Sequence, residues 1–481
     1  MSVKKDLATG ILWTAMSKYS GIVISLVISA VLARLITPEE FGVIGIASVF
    51  ISFFNILGDI GVGPAIIQRQ NLTDKDLSNI HSFTIYLGIL LSLIFFSFSG
   101  WIADFYEDVQ LKTVCRLLSL NIMLTCTNIV PGSLQYKFKR FKFVALFSLC
   151  IQVLTGLVAV IYALNGGGVY ALVLQVLVSL LITSIVYNYL AKIRFTIFPK
   201  FSSLQKIVGF ASYQFLFNIV NYFSRNADKL IIGRSLGLTQ LGYYDKSYRL
   251  MLMPLQHISF VIHPVILPIF AELQHNLRDV GVKYLKIYQF LAYLSFPLSV
   301  MLYFCAPELI LIIFGDQWGP SVIPFQILSL SVSMQILTST TGGIFQAIDA
   351  TKKMFISGIL GAVFVIVAFI VGGVYFKSLK ILCIAYLIAQ IFNAVQCFGL
   401  LFRSINVTLK EALYPLLKPL CISSVMLILL AGLNIYFKVS LFNSLLVKLL
   451  LGSTIWIVMM QTWADIKPSI FFKSILHSKK A

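Results

Sequence analysis

The chain has 481 residues, 59% of them hydrophobic and 11% charged, and a mean hydropathy of +0.92, far more apolar than a soluble globular protein. Its formal net charge is +19, but the lysines and arginines gather in short polar segments between long apolar ones, which suits anionic lipid headgroups and needs no nucleic acid. These quantities exclude a water-soluble enzyme and leave an all-α polytopic membrane protein.

A helix needs about 20 mostly apolar residues to cross the hydrocarbon core. Fourteen segments qualify. In chain order the first seven are Gly10–Leu35, Gly42–Ile66, Ile80–Ala103, Val114–Gln135, Phe143–Ala163, Val169–Leu190 and Ile207–Gly233. The second seven are Tyr248–Phe270, Ile287–Cys305, Val322–Ile348, Phe355–Phe376, Ile381–Phe402, Tyr414–Phe437 and Leu441–Trp463. Pro297 interrupts the ninth, and Ala306–Phe314 either extends it or forms a separate interfacial piece. Lys137, Lys139, Arg140 and Lys142 crowd one connection and Lys192, Arg194, Lys200 and Lys206 another, whereas the turn Asn165–Gly168 carries no charge. The positive-inside rule then places both termini in the cytoplasm. The N-terminal apolar run is too long for a signal peptide.

Two stretches 200 residues apart repeat one design: Leu32–Gly42 and Ile232–Gly242. Arg34 falls on Arg234, Gly42 on Gly242, and Pro64 on Pro264. The preceding helices carry matching polar stripes, Thr14, Lys18, Gly21, Ser25 and Ser29 in the first and Gln214, Asn218, Asn221, Arg225 and Lys229 in the second. Steps of three and four keep each set on one helix face. Six spans per copy make the repeat parallel, with a pseudo-twofold along the membrane normal. The expected organisation is a six-helix lobe over 1–191, a linker over 192–206, a second six-helix lobe over 207–403, and an additional pair of helices with a tail over 404–481.

Catalytic signatures are weak: the sequence contains no G-x-x-x-x-G-K-[ST] phosphate loop or H-E-x-x-H pair, and its G-x-S-x-G match, Gly233–Gly237, ends a long apolar segment instead of following a strand. The seven cysteines lack metal-ligand spacing, so neither a metal nor a cofactor is expected. Function therefore rests on polar residues within spans. Lys18 lies ~12 Å into the first span, where burying a charge costs roughly 2.5–3.5 kcal/mol on insertion scales. The second span returns with Ser48, Ser52, Asn55 and Asp59, bringing Asp59 to a similar depth. Lys18 and Asp59 form either a structural pair or part of a cavity lining that includes Ser25 and Asn55. In the seventh span Asn218, Asn221, Tyr222, Arg225, Asp228 and Lys229 share a face. Arg225 and Asp228 could bridge locally. The extra amides and lysine favour a cavity, because guanidinium, amide and phenol groups suit phosphate oxygens and sugar hydroxyls. Arg34, Arg69 and Arg234 end helices and are candidates for gate, mouth or simple anchor. Gln256, Ser259 and His263 make a shorter stripe read as packing.

At these motifs the chain becomes recognisable. Trp13–Ser17 (W-x-x-x-S), L-A-R-L-I-T-P-E-E-F-G (Leu32–Gly42), D-I-G-V-G-P-A-I-I-Q-R (Asp59–Arg69) and L-G-Y-Y (Leu241–Tyr244) resemble the polysaccharide transporter family. These are lipid-linked oligosaccharide flippases of the multidrug/oligosaccharidyl-lipid/polysaccharide exporter superfamily. F-G-D-Q-W (Phe314–Trp318) is similar to the F-G-x-x-W of the colanic-acid and teichuronic-acid exporter branch, and the chain as a whole also resembles O-antigen flippases. The resemblance implies an undecaprenyl-diphosphate-linked glycan as substrate, alternating access, a bacterial inner membrane, and a groove for the lipid tail beside the last two helices. It also implies a polysaccharide polymerase and a chain-length regulator as partners. The competing readings are a multidrug or small-solute antiporter of the same superfamily and a membrane enzyme of polysaccharide assembly.

Overall fold

A computed structural model describes residues 3–59, 61–69, 71–200, 222, 226–436 and 439–462, and every regular element among them is helical. Two compact units divide the chain, Met1–Gly242 and Tyr243–Ala481.

The first unit holds α1 (Val3–Leu35), α2 (Pro38–Asp59), α3 (Val62–Gln68), α4 (Asp74–Tyr106), α5 (Val109–Lys137), α6 (Phe141–Leu164) and α7 (Val169–Ala191). Residues 226–235 are also helical, and the first residues of α8 (Leu238–Ala271) complete the unit. The T-P-E-E sequence shows how one helix begins. The Thr37 hydroxyl accepts the Glu40 N–H at 3.3 Å, while the Glu40 carboxylate accepts the Thr37 N–H at 2.9 Å. That reciprocal capping box satisfies two donors a helix start leaves open, and Pro38 occupies the first turn, where no donor is needed. Glu40 also accepts the Val169 N–H at 2.9 Å, tying α7 to the same turn. Thr73 and Asp76 repeat the capping box at the start of α4. α1 packs on α6 through small and polar residues: Gln152 donates to the Gly21 carbonyl at 2.9 Å, and Ser17 meets Ser148 at 3.2 Å. Ile28 fills the space beside Gly156.

The second unit holds most of α8, then α9 (Leu277–Phe304), α10 (Ala306–Phe314), a 3-10 turn (Asp316–Ser321), α11 (Val322–Leu330), α12 (Val332–Ser339), α13 (Thr341–Ala347), α14 (Thr351–Phe369) with a π-helical end (Ile370–Tyr375), α15 (Leu379–Ser404), α16 (Leu409–Tyr436) and α17 (Leu441–Thr462). Pro297 lies inside α9 without ending it, so the ninth segment is a continuous helix and Ala306–Phe314 a separate one. The F-G-D-Q-W stretch forms a socket: Gly315 takes φ 98°, a region glycine enters at no steric cost, and Trp318 turns fully inward. Lys246 lies 5.1 Å from the ring centre of Phe314 and 5.5 Å from that of Trp318, a cation–π arrangement.

Among the described residues, eleven helices are long and apolar enough to cross a bilayer, and a pair bent by 41°, Asp316–Leu330 with Val332–Ala347, counts as a twelfth. The other two expected segments correspond to α8 and to Ile207–Gly233, the latter lying mostly outside the described residues. Large apolar side chains face outward along whole helix sides, as with Leu154, Leu157 and Ile161 on α6 and Phe355, Ile359 and Val363 on α14. In water such surfaces would drive aggregation; in a bilayer they are the lipid contact.

Candidate functional site

α1 presents two open faces of opposite character. Leu12, Met16, Tyr19, Val23 and Val27 are exposed along one side. At 100° per residue, Thr14 and Ser25 point to nearly the opposite side, and they too are exposed. Ser17, Gly21 and Ile28 lie on a third side, against α6. α1 thus carries an exposed apolar side and an exposed polar side. Lys18 lies beside Ser25 on the polar side and is half-buried. The apolar stretch of α1 runs Leu12–Leu35, which puts Lys18 ~9 Å from its start.

Asp59 is the last residue of α2. Gly61 takes φ 75°, and α3 resumes at Val62. The expected span Gly42–Ile66 corresponds to Pro38–Gln68, long and apolar enough to cross a bilayer, with the left-handed Gly61 separating α2 from α3 inside it. The Asp59 carboxylate accepts the Gly63 N–H at 3.3 Å, so it satisfies a donor at the start of α3. Among the described residues, Lys18 and Asp59 form no ion pair. Asn55, one turn earlier, donates to Asn121 of α5 at 3.2 Å, and its own carbonyl oxygen is buried without a hydrogen-bond partner among the described residues. Asn121 also accepts from Thr125 at 3.3 Å. Sequence reasoning missed Asn121, because only tertiary packing brings α5 to α2.

Of the second stripe, Gln214, Asn218, Asn221 and Arg225 lie outside the described residues, and with them the proposed Arg225–Asp228 bridge. Tyr222 is buried, its hydroxyl donates to the Val49 carbonyl of α2, and its ring tilts against Phe53 at 6.0 Å. Asp228 is buried and accepts the Lys229 N–H at 2.8 Å, while Lys229 is half-buried. Arg34 is exposed. Arg234 bridges Glu107 at 2.6 Å and lies over Phe105, its guanidinium carbon 5.1 Å from the ring centre. Gln256 is exposed, and the side chains of Ser259 and His263 lie outside the described residues.

At the far end of α5, the exposed Arg69 offers its backbone carbonyl to Lys137 at 2.6 Å. Nearby in the chain, Lys139, Arg140, Phe141, Lys142, Phe143 and Leu146 line an open recess of about 450 Å³. Arg140 is held by Gln135 at 3.1 Å, and Lys142 stands 5.4 Å from the ring centre of Trp13.

Comparison with known proteins places this geometry in a family. Teichuronic acid biosynthesis protein TuaB of Bacillus subtilis is 26% identical over 445 residues, covering 90% of each chain. Succinoglycan biosynthesis transport protein ExoT of Rhizobium meliloti is 24% identical over 464 residues, covering 94% of this chain and 91% of its own. Among solved structures, the lipid II flippase MurJ in an inward closed conformation matches with a TM-score of 0.72 at 16% identity, over 97% of this chain and 100% of that one. At that identity the match establishes the fold. The pattern of the family described as "Polysaccharide biosynthesis protein" matches residues 31–323, well over half of the 481, and this multi-pass membrane protein therefore belongs to that family.

Proposed function

We propose that the protein moves undecaprenyl-diphosphate-linked oligosaccharide repeat units from the cytoplasmic to the outer leaflet of a bacterial inner membrane. The two repeats act as six-helix lobes that expose a cationic cavity to one side and then the other. The carrying observation is the second open face of α1, where Lys18 and Ser25 occupy a polar side opposite the apolar one. A diphosphate sugar cannot enter hydrocarbon unaided, since desolvating its charge costs far more than thermal energy. A polar face with an ammonium group replaces water for the headgroup while the polyprenyl chain stays in lipid. Family membership and the flippase fold of MurJ support the same assignment.

In this reading Lys18, Ser25, Asn55 and Asp59 line the first half of the cavity, and Asn218, Asn221, Tyr222, Arg225, Asp228 and Lys229 the second. Arg69 serves the cytoplasmic mouth; Arg34 and Arg234 serve the outer end. A polysaccharide polymerase and a chain-length regulator are the expected protein partners.

The test is gene deletion with leaflet-selective labelling of lipid-linked glycans. Surface polysaccharide is expected to disappear while labelled repeat units accumulate on the cytoplasmic leaflet. Normal surface polysaccharide with altered drug resistance would overturn this reading in favour of an antiporter.

A further inference from the structure

Glycine is a poor residue for a helix interior, so two glycines at matching positions of a repeat need a reason. A methyl carbon built on Gly42 would stand 1.9 Å from the carbonyl oxygen of Leu238, and one built on Gly242 would stand 1.9 Å from that of Pro38. Both obstacles are backbone atoms, which cannot rotate away as a side chain can. Gly42 and Gly242 are separated by the same 200 residues as Pro38 and Leu238. The two clashes are therefore one crossing seen from its two sides, an isologous contact between the starts of α2 and α8. Both positions belong to the first compact unit.

The neighbourhood continues the closure. A methyl carbon on Gly45 would meet the Leu241 side chain at 3.5 Å, and one on Gly233 would meet Ile46 at 2.5 Å. Deeper along α2, Tyr222 reaches the Val49 carbonyl. The Arg234–Glu107 bridge has side chains 46% and 74% exposed, too open for the ion pair to hold the crossing. Close backbone packing holds it.

We infer that Gly42 and Gly242 are the two halves of a latch closing the outer end of the translocation path, and that glycine is required at both positions only while the latch is shut. The inference rests on the alternating-access reading and on the cytoplasmic N-terminus expected from the positive-inside rule, which puts the turn after the first span on the outer side. A side chain at either position disfavours the shut state alone, so the population moves toward the open one.

Ile46, fully buried above Gly233, reports the state. In a cysteine-free chain carrying Ile46→Cys, a membrane-impermeant maleimide is added outside intact spheroplasts, with membrane protein matched. Gly42→Ala or Gly242→Ala should each raise the labelling rate roughly tenfold. Because both act on one crossing, the double variant should exceed either single by no more than about twofold. Gly358→Ala, where added atoms meet open space, should change nothing. Should the glycine variants fail to reach the membrane, Leu241→Ala removes packing at the same crossing and should raise labelling about threefold. Unchanged labelling in the glycine variants, or in Leu241→Ala where only that variant reaches the membrane, overturns the latch. So do fully multiplicative effects of the two glycine changes, or labelling that rises only in inverted vesicles. Labelling needs no substrate and surface polysaccharide is scored separately, so the latch and the export reading can fail independently.

Discussion

Lysine occurs on an apolar helix in both units, half-buried in the first and fully buried in the second. Lys18 of α1 is half-buried on the side of the helix that carries the exposed Ser25, and among the described residues it forms no ion pair with Asp59. Lys448 of α17 is 4% exposed, ion-paired with Glu308 of α10, and donates to the Phe304 carbonyl at 2.9 Å. Ser444 donates to the same Glu308 oxygen at 2.6 Å. Only Lys448, Gly452 and Met460 of α17 are buried, and the pair, together with Trp456 donating to the Tyr293 carbonyl at 2.9 Å, ties that helix to α9 and α10. The difference teaches when an intramembrane cation is a functional candidate. A cation held by a buried carboxylate and a carbonyl is part of the framework, whereas one half-buried on a polar helix side is a candidate ligand contact.

The largest effect expected is on the framework pair. Lys448→Met alone leaves Glu308 buried and unpaired, and should cost about 3–5 kcal/mol, read as a lowered melting midpoint in detergent. Adding Glu308→Leu should recover most of that loss. Failure to recover would erase the contrast by giving Glu308 a role of its own. Lys18→Gln should behave in the opposite manner: an unchanged melting midpoint with surface polysaccharide reduced roughly tenfold or more, on the order of 1.4 kcal/mol or above. Adding Asp59→Asn should not restore export; rescue with expression matched would return Lys18 to the framework class. A smaller change is expected for Asn55→Ala, which removes the bond to Asn121 and should shift stability by about 1 kcal/mol. Arg234→Gln breaks only the exposed bridge to Glu107 and should move the melting midpoint by no more than about 0.5 kcal/mol allows.

What could be read from the sequence follows the same division. Spans and stripes are local patterns, so hydropathy found the helices and 3.6-residue periodicity found the polar side of α1. The repeat gave Gly42 and Gly242 as equivalents, though their mutual contact needed three dimensions. The break at Gly61 escaped because Asp59–Arg69 keeps a helix-compatible apolar pattern through a glycine whose left-handed backbone is set by its surroundings. Glu308 and Lys448 are 140 residues apart, and no periodicity connects them. The same holds for Asn55 with Asn121, and for Lys246 with the Phe314–Trp318 socket. Contacts within one helix were legible, and contacts between distant helices were not.

The central claim is that the open cationic face carries a diphosphate-linked lipid across the membrane. Its most direct test is reconstitution of the purified protein in vesicles containing a fluorescent polyprenyl-diphosphate sugar on one leaflet, with protection from a membrane-impermeant quencher as the readout. Leaflet exchange is expected with the unaltered protein, and little above the protein-free rate with Lys18→Gln. Equal exchange by both proteins, or none by the unaltered protein while drug transport persists, would contradict it.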